Sequence, residues 1–369
     1  DLWDEYMELR RQAMVEHVGN PTQVTEVCNA FYAARRAEMD RGGAVSWPAR
    51  MSPGDLSALQ HAYNERVRVR EEAFFAEYQN EPLAAQATAI IVTPDDIAQR
   101  CNRRPRGEVP TNAPVVTAFI DVGERVLWWC AVAWAPGFTG AVLDYGTWPD
   151  QRTRHVHSGK LRRTLQQECP KADVDGAVLN GLLHLGPELL GREWPVFGGG
   201  TVRLARLLID AGHLPGVVHD ACRQLGPLAI PSRGDGVSAA RRPMTSYVAK
   251  PGEQIGWHWM VTAASKPMRH ARYDTNHWKT FIHARLATVT GDVGALTLFG
   301  TSPDQHRTFA SHVGAAEYCT ETQGHGRTVW AWQQYPSKPD NHWFDCLVGA
   351  AVAASMAGVD TAESAALRA

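Results

Sequence analysis

Apolar and polar positions divide the chain into a helical beginning and a strand-rich remainder. Residues 1–85 are polar and have a helix-typical pattern, which is interrupted at Pro21, at Gly42 and by an extended Trp-Pro-Ala-Arg connector at 47–50. Within this part, residues 52–80 predict helices rich in Glu, Arg and Ala. Residues 86–114 then form a basic, proline-containing stretch, which we interpret as a linker.

From residue 115 the periodicity changes to that of β-strands. Residues 115–121, 126–134 and 138–145 predict three strands, and the short connections between them favour an antiparallel meander. The next predicted elements are a basic helix, an apolar helix, a strand, a helix and a strand, at residues 151–169, 178–190, 202–209, 217–225 and 228–231. This order is that of a ribonuclease H-like core.

The rest of the chain predicts an insertion and a closing helix. Residues 240–335 are rich in Trp, His and Arg and predict added strands and loops, whereas residues 341–356 predict a helix. We therefore expect an α/β fold, with a ribonuclease H-like mixed β-sheet flanked by helices, a β-rich insertion and an N-terminal helical extension. The expected boundaries are a helical segment, a linker, a ribonuclease H-like domain and a tail, at 1–85, 86–114, 115–358 and 359–369.

Composition excludes several classes of protein. The formal net charge of the 369 residues is −2, so DNA binding would depend on local basic clusters. The seven cysteines are scattered without a CxxC pair, which argues against a zinc ribbon and a disulfide framework. No apolar run approaches the roughly 18 residues of a membrane span, so we expect no membrane contact. The first residue is Asp and not Met, so we expect a fragment of a longer protein.

Three aspartates suggest a metal site. Asp121 and Asp210 each end a predicted apolar strand, and Asp345 lies in the first turns of a helix that continues with Gly and Ala. An ionised Asp at the end of a buried strand is costly unless a cation compensates it. Such oxygen ligands suit Mg²⁺ or Mn²⁺ and a two-ion phosphodiesterase, in which Asp121 would bridge the ions. Each acid alone is more often a turn former or a helix cap, so the hypothesis rests on their combination.

Several segments match the motifs of one family. Trp-Pro-Ala-Arg at 47–50 and Glu-Tyr-Gln-Asn-Glu-Pro at 77–82 precede the strands. The other motifs are Phe-Ile-Asp-Val-Gly, Leu-Asp-Tyr-Gly, Leu-Ile-Asp-Ala-Gly and Asn-His-Trp-Phe-Asp-Cys, at 119–123, 143–146, 208–212 and 341–346. Together they resemble the C-terminal endonuclease portion of tailed-phage terminase large subunits, and residues 1–85 resemble the region that connects motor and nuclease.

The resemblance implies an endonuclease that cleaves concatemeric viral DNA during genome packaging. It implies two-metal phosphodiester hydrolysis, with Asp121, Asp210 and Asp345 as catalytic metal ligands. It also implies double-stranded DNA as the substrate, the host cytoplasm as the location, and an ATPase motor domain, a small terminase subunit and a portal as partners. The sequence has no GxxxxGK[ST] phosphate loop. We therefore expect no nucleotide site in this chain. Either the motor was removed upstream or the chain is a degenerate prophage remnant, and we favour removal.

Further candidates each have two interpretations. Asp144, at the end of the third predicted strand, is either another metal ligand or a turn acid. His342 lies three residues before Asp345, on the same helix face; it either contacts the scissile phosphate or the attacking water, or forms only local hydrogen bonds. His155 and His157 form an HxH pair without a third ligand nearby in sequence, so no zinc is expected. Candidate DNA contacts, each also readable as a solvated cation, are Arg103, Arg104, Arg106, Arg152, Arg154, Lys160 and Lys279.

Two other functions remain open at this point. A different ribonuclease H-like nuclease, such as a junction resolvase, would use the same acids without needing the segment at 77–82. A non-catalytic DNA-binding or assembly module of a packaging complex would bind DNA without metal and never cut it.

Overall fold

The computed structural model describes residues 2–17, 20–45, 47–68, 91–262, 269–324, 326–337 and 340–361. The chain forms two compact units: residues 1–88 with 288–295, and residues 89–287 with 296–369. The Glu-Tyr-Gln-Asn-Glu-Pro motif at 77–82 lies outside the described residues. None of the described helices is both long and apolar enough to cross a bilayer.

The first unit is helical, as its sequence predicts. Its described helices are α1 (Leu2–Glu16), α2 (Pro21–Met39) and α3 (Ala58–Arg68). Trp3 of α1 stacks on Tyr63 of α3 with ring centroids 3.8 Å apart. The hydroxyl of Tyr6 donates a hydrogen bond of 2.7 Å to Asn64 Oδ1. The aromatic residues therefore hold the helices together and keep their polar atoms bonded.

A nine-stranded mixed sheet forms the centre of the second unit. The described strands are β1 (Val115–Val122), β2 (Leu127–Ala135), β3 (Thr139–Trp148), β4 (Trp194–Pro195), β5 (Thr201–Val202), β6 (Leu204–Asp210), β7 (Ala229–Asp235), β8 (Gln254–Gly256), β9 (Trp259–Val261), β10 (Ala271–Asp274), β11 (Leu296–Leu298), β12 (Glu317–Gly324) and β13 (Arg327–Gln334). The strand order in the central sheet is β11-β3-β2-β1-β6-β7-β10-β9-β8. β1, β2 and β3 are antiparallel, whereas β1, β6, β7 and β10 are parallel. The meander followed by parallel strands is the predicted ribonuclease H-like arrangement.

Helices cover both faces of this sheet. The described helices of the second unit are α4 (Pro94–Ala98), α5 (Leu165–Glu168), α6 (Val174–Gly191), α7 (Pro215–Leu225), α8 (Thr275–Ala287), α9 (Arg307–Gly314) and α10 (His342–Met356). One buried cluster joins a sheet face to α8, α9 and α10, and the other joins the opposite face to α6 and α7. α10 lies so close to β1 that a Cβ at Gly349 would overlap the ring of Phe119. The small side chains of α10 therefore allow the predicted close approach to the sheet.

The basic segment at 151–169 is mostly not helical, so that prediction was wrong. Its described helical parts are the short 3₁₀ turn Ser158–Lys160 and α5. The buried side chain of Gln151 holds the loop: its Nε2 donates to the carbonyl of Arg163 at 2.7 Å, and its Oε1 accepts from the N–H of Arg162 at 2.7 Å. Bonds from one side chain to the backbone thus replace helical hydrogen bonds.

The insertion at 240–335 contains helices as well as the predicted strands. α8 and α9 lie within it, and the strands β8, β9 and β10 extend the central sheet. The Trp- and His-rich composition of α8 conceals its helical period, because residues around most of its circumference are buried. The stretch at 86–114 likewise contains the short helix α4.

Candidate active site

Two of the predicted acids lie side by side on neighbouring strands. β1 and β6 are parallel, with Ile120 opposite Ile209, so Asp121 and Asp210 follow at adjacent positions. Two residues earlier, Phe119 and Leu208 both face the α10 side of the sheet. Because side chains alternate along a strand, both carboxylates project to that same side.

The third acid approaches from α10. Asp345 precedes Gly349, where α10 packs against Phe119 of β1, by about one helical turn. Burial raises the pKa of Asp210, and the negative charges of Asp121 and Asp345 raise it further. The structure therefore brings together Asp121, Asp210 and Asp345, which are far apart in the sequence.

This concentration of carboxylates changes their acidity. Burial raises the pKa of Asp210 to about 7, and the charge of Asp121 adds to the effect. Burial also raises the pKa of Asp345 to about 6, although the nearby Lys279 ammonium opposes the rise. The cluster therefore has more negative charge than the surrounding protein compensates near neutral pH.

Lys279 is buried at this site. Its Nζ lies 2.5 Å from Glu317 Oε1 and 3.0 Å from Asp345 Oδ1, and the residue is only 7% exposed. Burial lowers the pKa of Lys279, but the charges of the two carboxylates outweigh burial and raise it overall. Lys279 is thus a buried cation that holds Asp345, which corrects the interpretation of Lys279 as a solvated lysine.

Asn341 completes this network. Its Nδ2 donates hydrogen bonds to Asp345 Oδ2 at 2.9 Å and to Glu317 Oε1 at 2.6 Å. Both oxygens of Asp345 therefore have a protein partner, which fixes the orientation of the carboxylate. The sequence analysis missed Glu317 and Asn341, although a lysine close to Trp278, Phe281 and Ile282 was a signal that an acid could lie nearby in the fold.

His342 contacts the first acid of the cluster. Its Nδ1 lies 2.7 Å from Asp121 Oδ2, and its ring stacks on Trp128 with centroids 4.7 Å apart. Burial lowers the pKa of His342, but the hydrogen bond and charge of Asp121 outweigh burial and raise it. The imidazole is therefore held against the carboxylate of Asp121.

Asp144 does not join the cluster. It pairs across the sheet with Ala131, whose side chain lies on the opposite face, with α6 and α7. Its oxygens lie 2.5 Å from Arg106 Nε and 2.8 Å from Arg192 Nη1. Asp144 is thus a buried, doubly paired acid, and the structure separates it from the other three.

Some of the candidate DNA-binding residues form ion pairs with acids of the protein, whereas others are exposed. Arg106 pairs with Asp144, and Arg104 pairs with Glu108 at 3.3 Å, whereas Arg103 is exposed. Three more exposed cations, Arg152, Arg154 and Lys160, lie on the loop after β3. That loop is joined to the start of α10, because the N–H of Ser158 donates to Asp340 at 3.2 Å.

The donor set suits hard divalent cations. Asp121, Asp210 and Asp345 offer carboxylate oxygens, which Mg²⁺ and Mn²⁺ prefer. His342 and Lys279 pair with Asp121 and Asp345, whereas no ion pair to Asp210 is found among the described residues and Arg233 acts on it only through its charge. A bound divalent ion would supply the missing positive charge, so the residues fit such a group.

One comparison with known proteins gives a match. A family model described as terminase large subunit gpA, endonuclease domain, matches residues 72–365. No curated protein matches the chain, and no solved structure matches it.

Proposed function

Because the chain belongs to the family of terminase large subunit gpA endonuclease domains, we propose that it is the metal-dependent nuclease that cleaves concatemeric viral DNA during packaging. The family gives the chain a nuclease role in phage DNA packaging, in agreement with the resemblance of its motifs. The observation that supports the finer proposal is the convergence of Asp121, Asp210 and Asp345 at one edge of the sheet.

In this proposal the three aspartates hold two ions, Mg²⁺ or Mn²⁺. Ions bound there would act as Lewis acids that activate the attacking water and stabilise the charge on the departing 3′ oxygen. Asp121, whose strand pairs with that of Asp210, would be a shared ligand. Lys279 and Asn341 keep the Asp345 carboxylate in one orientation, and therefore reduce the reorganisation that ligand binding requires.

His342 serves as a contact to the scissile phosphate or the attacking water. Its Nδ1 is bonded to Asp121 and its ring is clamped by Trp128, so the remaining Nε2 has a fixed direction. A positioned imidazole of this kind can donate or accept a proton during phosphodiester cleavage.

Double-stranded DNA is the proposed substrate, held mainly by its phosphates. The exposed Arg152, Arg154 and Lys160 belong to the loop that is bonded to Asp340, two residues before His342. Cations at such positions contact phosphates and orient the duplex without specifying its sequence. As partners we propose an ATPase motor domain, a small terminase subunit and a portal, in the cytoplasm of the host.

Plasmid nicking tests this function. Supercoiled plasmid is incubated with the chain in Mg²⁺, Mn²⁺ or EDTA, and we expect nicking that requires metal and disappears in Asp121→Asn, Asp210→Asn and Asp345→Asn. Asp144→Asn is the matched control, since it removes a buried acid of the same sheet on the opposite face, and it should retain nicking if it folds by circular dichroism.

The outcomes separate the alternatives. A folded wild-type chain that binds DNA but cuts it with neither metal would favour a non-catalytic assembly module. Preferential cutting of four-way junctions over linear duplex would favour a resolvase-like nuclease. Loss of nicking in folded Asp144→Asn equal to that in Asp121→Asn would contradict the proposed ligand set.

A further inference from the structure

A second group of potential metal ligands lies beside the acid cluster. His157 comes from the loop after β3, His312 from α9 and Asp340 from the residues before α10. One ligand atom from each lies within 4.8 Å of the others. The pair His157 Nδ1 and Asp340 Oδ2 is already 3.4 Å apart. The sequence predicted no zinc because the HxH pair lacked a third ligand, whereas the fold supplies His312 and Asp340.

His312 is the strongest indication that this group binds a ligand. The residue is 1% exposed, and its Nε2 has no hydrogen-bond partner among the described residues. Its Nδ1 accepts the N–H of Trp343 at 3.5 Å, and its ring packs against Trp343 with centroids 4.7 Å apart. The ring is therefore fixed, with Nε2 as its unsatisfied nitrogen. Buried nitrogens are rarely left without a partner, so this atom calls for one.

We propose that His157, His312 and Asp340 bind a divalent transition-metal ion, for which Zn²⁺ is the best match. Two imidazoles and one carboxylate form a typical zinc ligand set and leave a fourth position for water. Tetrahedral ligands about 2.0–2.1 Å from zinc are roughly 3.4 Å apart. His157 and Asp340 already have that separation. The ligand atom of His312 lies within 4.8 Å of the other two, so metal binding would require it to move closer. The site is separate in ligand type from the carboxylate cluster, which suits hard cations.

An ion at this site would join three segments near the active site. It would tie the loop that carries Arg152, Arg154 and Lys160 to the start of α10. Ser158 of this loop already donates to Asp340, and His342 Nε2 lies 3.9 Å from Asp340 Oδ1. The ion would therefore fix both the cationic loop and the segment that leads to His342, which is a positioning role.

Metal binding by the chain without DNA tests the proposal. Equilibrium dialysis and calorimetry with Zn²⁺, Mn²⁺ or Mg²⁺ would compare wild type with His157→Ala and Asp340→Asn. We expect one Zn²⁺ equivalent in the wild type that excess Mg²⁺ does not displace, and binding at least about tenfold weaker in both variants. Zn²⁺ should also raise the Tm of the wild type but not of His157→Ala.

Two control variants test whether the ion binds at this group of ligands or elsewhere. His155→Ala changes the other histidine of the same loop, and Asp210→Asn changes the acid cluster; both should keep the Zn²⁺ equivalent. The His157 side chain is 53% exposed, so its replacement should not prevent folding. The proposal is overturned by a wild type without a Zn²⁺ equivalent, by unchanged binding in His157→Ala and Asp340→Asn, or by loss of Zn²⁺ in Asp210→Asn with retention in His157→Ala. These measurements need no DNA cleavage, so they are independent of the proposed nuclease function.

Discussion

The imidazole of His342 lies 2.7 Å from the carboxylate of Asp121, although 221 residues separate them in the sequence. This contact links the helix that carries the third acid to the strand that carries the first. The same histidine packs flat against Trp128 of the adjacent strand β2. The candidate active site is therefore fixed by packing as well as by charge.

Removal of this imidazole should slow cleavage. We expect His342→Ala to lower single-turnover plasmid nicking by at least about 10²-fold, the range in which a positioned proton donor or acceptor contributes. His184→Ala, which changes an exposed histidine of α6, is the control and should cut normally. Wild-type rates in folded His342→Ala would show that the imidazole has only a local structural role.

The raised pKa of Asp210 gives the metal-free protein a specific pH dependence. An acid whose folded pKa is about 7 binds more protons in the folded than in the unfolded state. The contribution of Asp210 to folding stability is therefore fully present below its ordinary pKa of 3.8, and it is lost as the pH rises through about 7.

We expect Asp210→Asn in EDTA to gain stability over wild type as the pH rises from 5 to 8, on the order of 1–3 kcal/mol. Urea unfolding at the two pH values measures this difference, and Asp220→Asn, which changes an exposed acid, should show none. Added Mn²⁺ should make the wild type the more stable of the two proteins at pH 8, because the ion stabilises only the wild type. If the stability of Asp210→Asn relative to wild type falls as the pH rises, the raised pKa of Asp210 is contradicted.

Lys279 should be essential for stability. Lys279→Met leaves Glu317 and Asp345 without their cation in a buried site, so we expect a loss of about 3–5 kcal/mol in the free energy of urea unfolding. Lys160→Met, which removes an exposed lysine, should change stability by less than about 0.5 kcal/mol.

A second substitution distinguishes charge from packing. Adding Glu317→Gln to Lys279→Met removes one of the uncompensated charges and should recover part of the loss. If the double variant is no more stable than Lys279→Met, the effect of Lys279 comes from its apolar stem and not from its charge.

The contact of α10 with the sheet should tolerate no added methyl group. A Cβ at Gly349 would overlap Phe119, which is buried, so Gly349→Ala should cost about 1–3 kcal/mol and displace Asp345 from the strand ends. Gly216→Ala is the matched helical control, since a Cβ there meets nothing within 4 Å. A Gly349→Ala protein with wild-type Tm and nicking would contradict the close approach.

Much of the framework could be predicted from the sequence, because it depends on local patterns. Alternating apolar runs indicate the strands of the meander, and Asp121 and Asp210 stand where those runs end. The Gly- and Ala-rich helix after Asp345 indicates close packing on a sheet. The central strand order and the trio of acids follow from these features and from their resemblance to a family.

The partners of these acids were decided by the tertiary structure alone. Lys279, Glu317 and His342 contact the acids across long stretches of chain, and only the packing of α8, α10 and β12 brings them together. The same is true of His157 and His312 with Asp340. Contacts between elements that are far apart in the chain are not marked by any periodic pattern in the sequence.

Asp144 shows most clearly what could not be predicted from the sequence. Strict alternation would place it on the same face as Val142, which lies on the side of the acid cluster. An irregularity in the pairing of β2 with β3 beside Leu143 shifts the register, so Asp144 turns to the opposite face and pairs with Arg106 and Arg192. The sequence determined that an acid lies near the end of β3, whereas the tertiary structure decided to which face of the sheet its side chain points. The physical reason is the one extra residue in β3, because a one-residue shift in register reverses the side to which every later side chain points.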